Sequence, residues 1–242
     1  MANPRKLKAK VVDMFDYCAN VRKLKLQVEG TLPRFKPGQF LHLSIYDYDP
    51  SFNWPESRCF SLANAPNSEN EIELVISKKG EYTSKIFDQI KPGDHVWIKL
   101  PYGVFNFDDS IKGSSILIAG GTGVSPFISF LRYILTTSLD PKIKLYYGIR
   151  DKEVFMIDNL ISECISKLEN FSYSFFIEQD PGNFNFNYST GYLDVDGIIE
   201  ESKLIPDTLY YLSGPPQMIK VFEDKLILNG IDNKNIRFDK WE

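Results

Sequence analysis

The chain has 242 residues, 43% of them hydrophobic and 25% charged, an ordinary globular mix that excludes disordered and fibrous classes. Its net charge is −4, and a cut at residue 110 leaves 15 basic and 14 acidic residues before it and 13 and 18 after it. Neither part therefore carries the basic stripe of a nucleic-acid binder. Aromatics reach 14%, enough to suggest a planar ligand as well as a core. Cys18, Cys59 and Cys164, with His42 and His95, are too few and too scattered for a disulfide framework or a metal centre. The opening MANPRKLKAK lacks the apolar stretch of a signal peptide, and no apolar run reaches the ~18 residues that cross a bilayer. The expectation is a cytoplasmic protein with no metal, no membrane span and no nucleic-acid partner.

In chain order, residues 1–108 read as all-β. Alternating stretches at 8–12, 21–29, 40–45, 71–77 and 95–100 predict strands, and Lys36-Pro37-Gly38 and Lys91-Pro92-Gly93-Asp94 supply turns. A short helix is expected over 82–89. Strands of this length and spacing suggest a closed antiparallel barrel, which leaves no exposed edge. Residues 107–113 read as an inter-domain link. From 114 to 242 strands and helices alternate: strand 115–119, helix 126–137, strand 142–147, helix 153–168, strand 171–177, helix 194–200, strand 208–212, helix 217–229 and strand 235–238. Val154, Ile157, Ile161, Cys164, Ile165 and Leu168 recur at three and four residues and predict one buried helix face. Strands separated by helices predict an α/β domain with a five-stranded parallel sheet.

Two turns carry chemistry. Ile118-Ala119-Gly120-Gly121-Thr122-Gly123-Val124-Ser125-Pro126 is a strand, a glycine turn and a helix start. Glycines admit an anion close to the backbone, and free N–H groups at the helix start attract it. The turn is not GxGxxG, because Pro126 stands at the last glycine's place, and alone it leaves open a connection that binds nothing. Tyr211-Leu212-Ser213-Gly214-Pro215-Pro216-Gln217-Met218 repeats the strand–turn–helix order. Both turns are expected at the carboxyl ends of parallel strands, where ligands of such sheets bind. In the first domain, Arg58-Cys59-Phe60-Ser61 puts Arg58 and Phe60 on one face of a strand and Cys59 and Ser61 on the other.

Taken in order, Pro37-Gly38-Gln39-Phe40, Arg58-Cys59-Phe60-Ser61, Gly80-Glu81-Tyr82-Thr83-Ser84, Pro101-Tyr102-Gly103-Val104-Phe105, the glycine turn, Tyr147-Gly148-Ile149-Arg150 and Gly214-Pro215-Pro216-Gln217-Met218 resemble the ferredoxin–NADP reductase superfamily of flavin-dependent oxidoreductases. The resemblance implies a flavin-binding β-barrel followed by a nicotinamide-nucleotide α/β domain. It implies that Arg58 pairs with flavin phosphate through its rigid, always-charged fork, that Phe60 packs on the isoalloxazine, and that Ser61 places a hydroxyl beside flavin N5. Cys59 completes that segment. Ile76 and Ser77 are implied as backbone contacts to the ring, and Thr83 and Ser84 as pyrophosphate ligands. Gly121, Thr122, Gly123 and Pro126, with Arg150, Gly214, Pro215 and Met218, are implied to hold the nicotinamide nucleotide.

Near the end of the chain, Ser213, Asp239 and Trp241 stand where plant-type relatives carry a Cys, an acid and an aromatic around the nicotinamide. With Ser61 they form the expected catalytic set. The cofactor expectation is FAD, with FMN as the alternative, because the aromatic loop 46–54 offers a ring for adenine. Glu178 and Asp180 after the third strand favour NADH over NADPH. The implied reaction is hydride transfer from NAD(P)H to bound flavin, then electron delivery to a separate acceptor such as a ferredoxin or flavodoxin, which Arg22, Lys23, Lys25 and Lys36 would attract. A free-flavin or ferric reductase is the alternative enzyme, and a non-catalytic flavin- or nucleotide-binding regulatory subunit is the alternative of another class.

Overall fold

A computed structural model describes residues 3–110, 113–137, 139–179 and 182–239. The chain divides into two compact units. One runs to Phe107 and takes in Ile128–Tyr133; the other begins at Asp108 and comprises the rest. Ile111 and Lys112 of the expected link lie outside the described residues.

The first unit is a six-stranded antiparallel sheet built from β1 (Arg5–Cys18), β2 (Val21–Val28), β3 (Phe40–Ser44), β4 (Arg58–Ser61), β5 (Glu71–Ser77) and β6 (His95–Tyr102), in the order β4-β3-β6-β1-β2-β5. Its two edges meet: Leu62 bridges to Leu74, and the Ala63 amide donates to the Glu73 carbonyl at 2.8 Å. The sheet thereby closes into a barrel. Alternation explains its core, since Leu24 and Leu26 of β2 and Val96, Ile98 and Leu100 of β6 point in, while the intervening Lys23, Lys25, Gln27 and Lys99 keep their polar ends outward. Helix α1 (Glu81–Gln89) adds Tyr82 and Ile86 to that core. Each fully buried Leu or Ile contributes roughly 1.5–3 kcal/mol.

The second unit is a parallel sheet of β7 (Ser114–Gly120), β8 (Lys142–Ile149), β9 (Phe171–Ile177), β10 (Tyr188–Thr190), β11 (Leu209–Ser213) and β12 (Ile236–Phe238), ordered β10-β9-β8-β7-β11-β12. The connecting helices are α2 (Ser125–Thr136), α3 (Asp158–Lys167), α4 (Val195–Ser202) and α5 (Pro216–Leu228). The sheet has six strands, not the five expected. The addition, β10, is three residues long, lies at the edge, and has no buried residue, so burial periodicity could not reveal it. The β9–β10 connection brings Phe184 and Phe186 against Phe155 and Phe175, with ring centroids 4.9–6.3 Å apart.

Helix α3 also departs from expectation. It begins at Asp158, five residues after the predicted start, because residues 152–154 form a separate tight turn. Ile161 and Cys164 are fully buried, whereas Ile165 is 49% exposed. One helical step carries Ile165 about 100° away from Cys164, off the packed face. Ile161→Ala is therefore expected to cost about 2–5 kcal/mol, and Ile165→Ala less than ~0.5 kcal/mol, in urea unfolding. Equal losses would contradict this packing.

Candidate functional site

In the second unit the chain starts at central β7, winds to β8, β9 and β10 on one side, and returns to β11 and β12 on the other. The point of reversal lies at the carboxyl ends of β7 and β11, where the two predicted turns stand, and open α/β sheets bind ligands at such switch points. The turns pack backbone against backbone. A Cβ placed on Gly123 would fall 2.5 Å from the Gly214 Cα and the Ser213 carbonyl oxygen, and one on Gly120 would fall 2.7 Å from Met218 Sδ. Those glycines let the turns meet. Gly121 differs: its φ is +54° and nothing lies within 4 Å of a Cβ there, so it supplies the left-handed corner and leaves the backbone open above it.

Two helices start at this edge. Helix α2 begins at Ser125 with Pro126 in its first turn, and α5 begins at Pro216 after Pro215; neither has a side-chain cap. The Ser125 hydroxyl instead donates to the Thr122 carbonyl at 2.7 Å, fixing the turn without covering the helix end. The positive ends of two helix dipoles thus converge on one sheet edge, an arrangement suited to a diphosphate. Met218 lies half-buried in the first turn of α5, and Pro215 is exposed beside it. Arg150 is exposed just past β8, and its carbonyl accepts from the Gln179 amide at 3.0 Å. The Glu178 amide donates to the Ile149 carbonyl at 3.0 Å, which sets a carboxylate residue next to that arginine at the strand ends.

Ser213 and Asp239 come together. Both are buried, the Ser213 hydroxyl donates to Asp239 Oδ2 at 3.4 Å, and the Asp239 amide donates to the Leu212 carbonyl at 3.0 Å. Trp241 lies outside the described residues. Upstream on β12, Arg237 bonds Asp108 Oδ2 at 3.0 Å and reaches the Tyr211 hydroxyl at 3.4 Å, and that hydroxyl also accepts from the Asp108 amide. Sequence reasoning missed this clasp, for no spacing links residues 108, 211 and 237.

In the barrel, β4 lies against β3 with Leu43 opposite Arg58, Leu41 opposite Phe60, His42 opposite Cys59 and Phe40 opposite Ser61. Leu41 and Leu43 are core residues, so Phe60 faces the core, Arg58 shares its side at the exposed end of the strand, and Cys59 and Ser61 lie on the other side. Phe60 is 9% exposed and belongs to the hydrophobic core, which leaves little of its ring for a ligand. Ser61 is 3% exposed. Cys59 Sγ is 3.6 Å from His42 Nδ1; burial, with Lys99 second, holds the His42 imidazole below its ordinary pKa. Ile76 is wholly buried in β5, and Ser77 closes that strand opposite Val21.

Arg58 is exposed, its guanidinium bonded to Glu56 Oε1 and the Ser57 carbonyl, both at 2.9 Å, and its Cζ stands 4.8 Å from the Tyr82 ring centre. Tyr82 is the residue that sequence reasoning overlooked. It lies in the first turn of α1, 4% exposed, and its hydroxyl donates to the Leu43 carbonyl at 2.8 Å. Its ring forms the seat that holds Arg58 beside the helix start. Two of the guanidinium's five N–H donors meet these acceptors, so the fork retains capacity for a phosphate. Thr83 uses its hydroxyl internally: Oγ1 accepts from the Lys79 and Gly80 amides at 2.9 and 3.0 Å. This caps α1, and Ser84 stands half-buried next to it.

The basic residues expected to attract an acceptor need correction. Arg22 is 8% exposed, bonds Asp16 through two nitrogens at 2.6 and 2.9 Å, and stacks on Phe87. Lys25 pairs with Glu71 at 2.8 Å. Both charges are answered within the barrel, which leaves Lys23 and Lys36 of that set. No helix among the described residues is long and apolar enough to cross a membrane.

The comparisons with known proteins follow this division. Residues 8–107 match the model of the oxidoreductase FAD-binding domain, and residues 117–224 that of the oxidoreductase NAD-binding domain. The phenol 2-monooxygenase reductase component DmpP of Pseudomonas sp. strain CF600 is 29% identical over 94% of this chain and 63% of its own length. The ferredoxin–NAD(+) reductase component of the alkene monooxygenase system of Xanthobacter autotrophicus is 35% identical over 65% of this chain and 46% of its own length. The chain thus spans about half to two-thirds of these relatives. Among solved structures, the cytochrome P450 reductase GcoB of Amycolatopsis has a TM-score of 0.82 at 23% identity, covering 98% of this chain and 70% of its own. A ferredoxin NADP+ reductase from Neisseria gonorrhoeae has a TM-score of 0.75 at 17% identity, covering 99% of both chains. At these identities the structures speak for the fold.

One prediction concerns the clasp. Hydrogen bonds from Ser110, with Arg237 beside it, hold the Asp108 carboxyl below its ordinary value of 3.8. A depressed carboxyl stabilises the fold above that value, and the contribution is lost as pH falls through the folded-state pKa. Asp108→Asn should therefore lower the urea midpoint most at neutral pH, with the gap to the native chain closing below pH 3.8. A gap that stays constant with pH would contradict the charged role.

Proposed function

This chain belongs to the ferredoxin–NADP reductase superfamily of flavin-dependent oxidoreductases, and from that premise we propose that it oxidises NADH with bound FAD and delivers the electrons to a separate one-electron acceptor. The reading is carried by one observation. Each unit presents an anion seat built from backbone N–H groups: the paired turns at the switch point of the α/β unit, and the start of α1 with Arg58 over Tyr82 in the barrel. Two diphosphate-bearing cofactors need two such seats.

When bound, the flavin supplies the chemistry, taking a hydride from reduced nicotinamide and releasing electrons to the acceptor. The protein's part is to bind and orient. Arg58 would take flavin phosphate with the donors that Glu56 and Ser57 leave open, and Ser84 would assist at the helix start. Ser61 would offer its hydroxyl at the ring, the exposed edge of Phe60 would pack against it, and Cys59, Ile76 and Ser77 would complete the flavin segment. Gly121, Thr122, Gly123 and Pro126, with Gly214, Pro215 and Met218, would hold the dinucleotide. Ser213 and Asp239, buried and hydrogen-bonded, would fix the wall at its nicotinamide end, joined by Trp241.

The preference for NADH rests on charge. Arg150 would meet the ribose side of the dinucleotide, but Glu178 beside it repels the 2′-phosphate of NADPH. The relatives are reductase components of oxygenase systems, which supports a protein acceptor for this chain as well; we propose that it meets that acceptor in the cytoplasm.

The test is an anaerobic titration of the purified, FAD-loaded protein with NADH and NADPH in parallel. The expected result is bleaching of the flavin by NADH at lower concentration than by NADPH. Flavin that neither nucleotide bleaches would overturn the reading in favour of a non-catalytic subunit. Arg58→Ala is expected to weaken flavin retention on desalting by roughly 10- to 100-fold, the loss of a charge-assisted hydrogen-bonded pair. Unchanged occupancy would refute the role of this arginine.

A further inference from the structure

We infer that Cys59 is a site of thiol–disulfide exchange with small disulfides that carry carboxylates, and that His42 takes the thiol proton. The site is a row laid across four strands. Lys6 of β1 stands opposite Lys99 of β6, Lys99 opposite His42 of β3, and His42 opposite Cys59 of β4. Leu41, Leu43, Ile98 and Leu100, which flank His42 and Lys99 along their strands, are buried in the core. Strand alternation therefore turns the row to the outer face of the barrel.

The thiol has a base beside it whichever way the imidazole is protonated. Cys59 Sγ lies 3.6 Å from Nδ1 and 3.7 Å from Nε2 of His42. Burial and the Lys99 charge favour the uncharged imidazole, in which one nitrogen is open to a proton. Two rings hold it in place, Tyr102 edge-on at 4.7 Å and Phe40 tilted at 5.9 Å. The lysines of the row keep their charge, because each rests on an uncharged partner: Lys99 Nζ lies 5.5 Å from the Tyr102 ring centre, and Lys6 donates to the Tyr48 hydroxyl. Neighbouring cations favour a thiolate and draw in an anionic reagent. Cys59 and His42 are both half-buried, so solvent reaches the pair. The other thiols lack this setting. Cys164 is fully buried, and burial pushes its thiol up to about 12. Cys18 ends β1 opposite Val21, whereas the second histidine, His95, stands opposite Lys10 and pairs with Glu29.

In the exchange the Cys59 proton passes to His42, and the thiolate attacks one sulfur of the disulfide. A new S–S bond forms at Cys59 as the old one breaks. Cys59 is oxidised, the departing half is reduced, and it leaves as a thiol with the proton that His42 held. Alternate residues of a strand stand about 7 Å apart on one side, so an adduct on Cys59 reaches the surroundings of Ser61. The consequence rests on the flavin reading above: adduct and flavin ring compete for that place, and exchange regulates flavin occupancy.

The experiment treats the purified full-length chain at neutral pH with dithiobis(nitrobenzoate), a dianionic disulfide with a coloured leaving thiolate, and with the neutral dipyridyl disulfide. Peptide masses locate the adducts. We expect Cys59 to react about tenfold faster than Cys18, and Cys164 to react only after unfolding. His42→Asn, its folding checked by urea midpoint, should slow Cys59 about tenfold and return its pH profile to that of an ordinary thiol near ~8.5. Lys99→Gln should lower the anionic-to-neutral rate ratio roughly threefold, as should added salt. FAD bound beforehand should slow the reaction of Cys59. Cys18 reacting as fast as Cys59, or a Cys59 rate and pH profile that His42→Asn leaves unchanged, would overturn the exchange site. A Cys59 rate indifferent to bound FAD would overturn the regulatory consequence. A chain that binds no flavin would overturn the flavin reading together with that consequence, while the Cys59 rates still decide the exchange site.

Discussion

The α/β unit depends on one close approach: the backbone of Gly123 against that of Ser213 and Gly214. No side chain fits there, because a single added carbon would stand 2.5 Å from main-chain atoms. The contact locks the ends of β7 and β11 together just where the strand order reverses. It also sets the first turns of α2 and α5 side by side, with neither helix capped by a side chain. An anion at that edge would meet the positive ends of both helix dipoles. The glycines thus serve packing first, and Gly121 alone keeps the open, left-handed corner.

The barrel solves the same problem with a different part. The anion seat we propose there is a short helix capped from within by Thr83 and overlooked by an arginine that rests on a buried tyrosine ring. Glu56 balances Arg58 when no phosphate is near. Such an exposed pair is worth little by itself, so it orients the guanidinium without tying it down. The neighbouring Glu81 is held below the ordinary carboxyl range by Lys85, which bonds it at 2.9 Å.

Much of this was legible in the sequence. Alternation and turn residues located five barrel strands, and β5 and β9 begin and end where the pattern places them. The two glycine turns announced the switch point, since strand–glycine–helix is a local signal. What escaped was non-local or too short to have a period. Strand β10 has three exposed residues, Ile165 obeys the helical spacing yet faces water, and Arg22 reads as a free charge although Asp16 and Phe87 enclose it. Tyr82 opened a predicted short helix, and its role as the seat of Arg58 joins two residues that no spacing links. Ser213 and Asp239 were named through the family resemblance, but their hydrogen bond could be seen only in three dimensions.

The most direct test of the account is to titrate isotope-labelled protein with ADP-ribose, the part of the dinucleotide that lacks the nicotinamide, and follow backbone amide resonances. The account predicts the largest shifts at Gly121, Thr122, Gly123, Gly214 and Met218, the amides that converge at the switch point. Saturable binding that leaves those five resonances in place and moves amides elsewhere would contradict it.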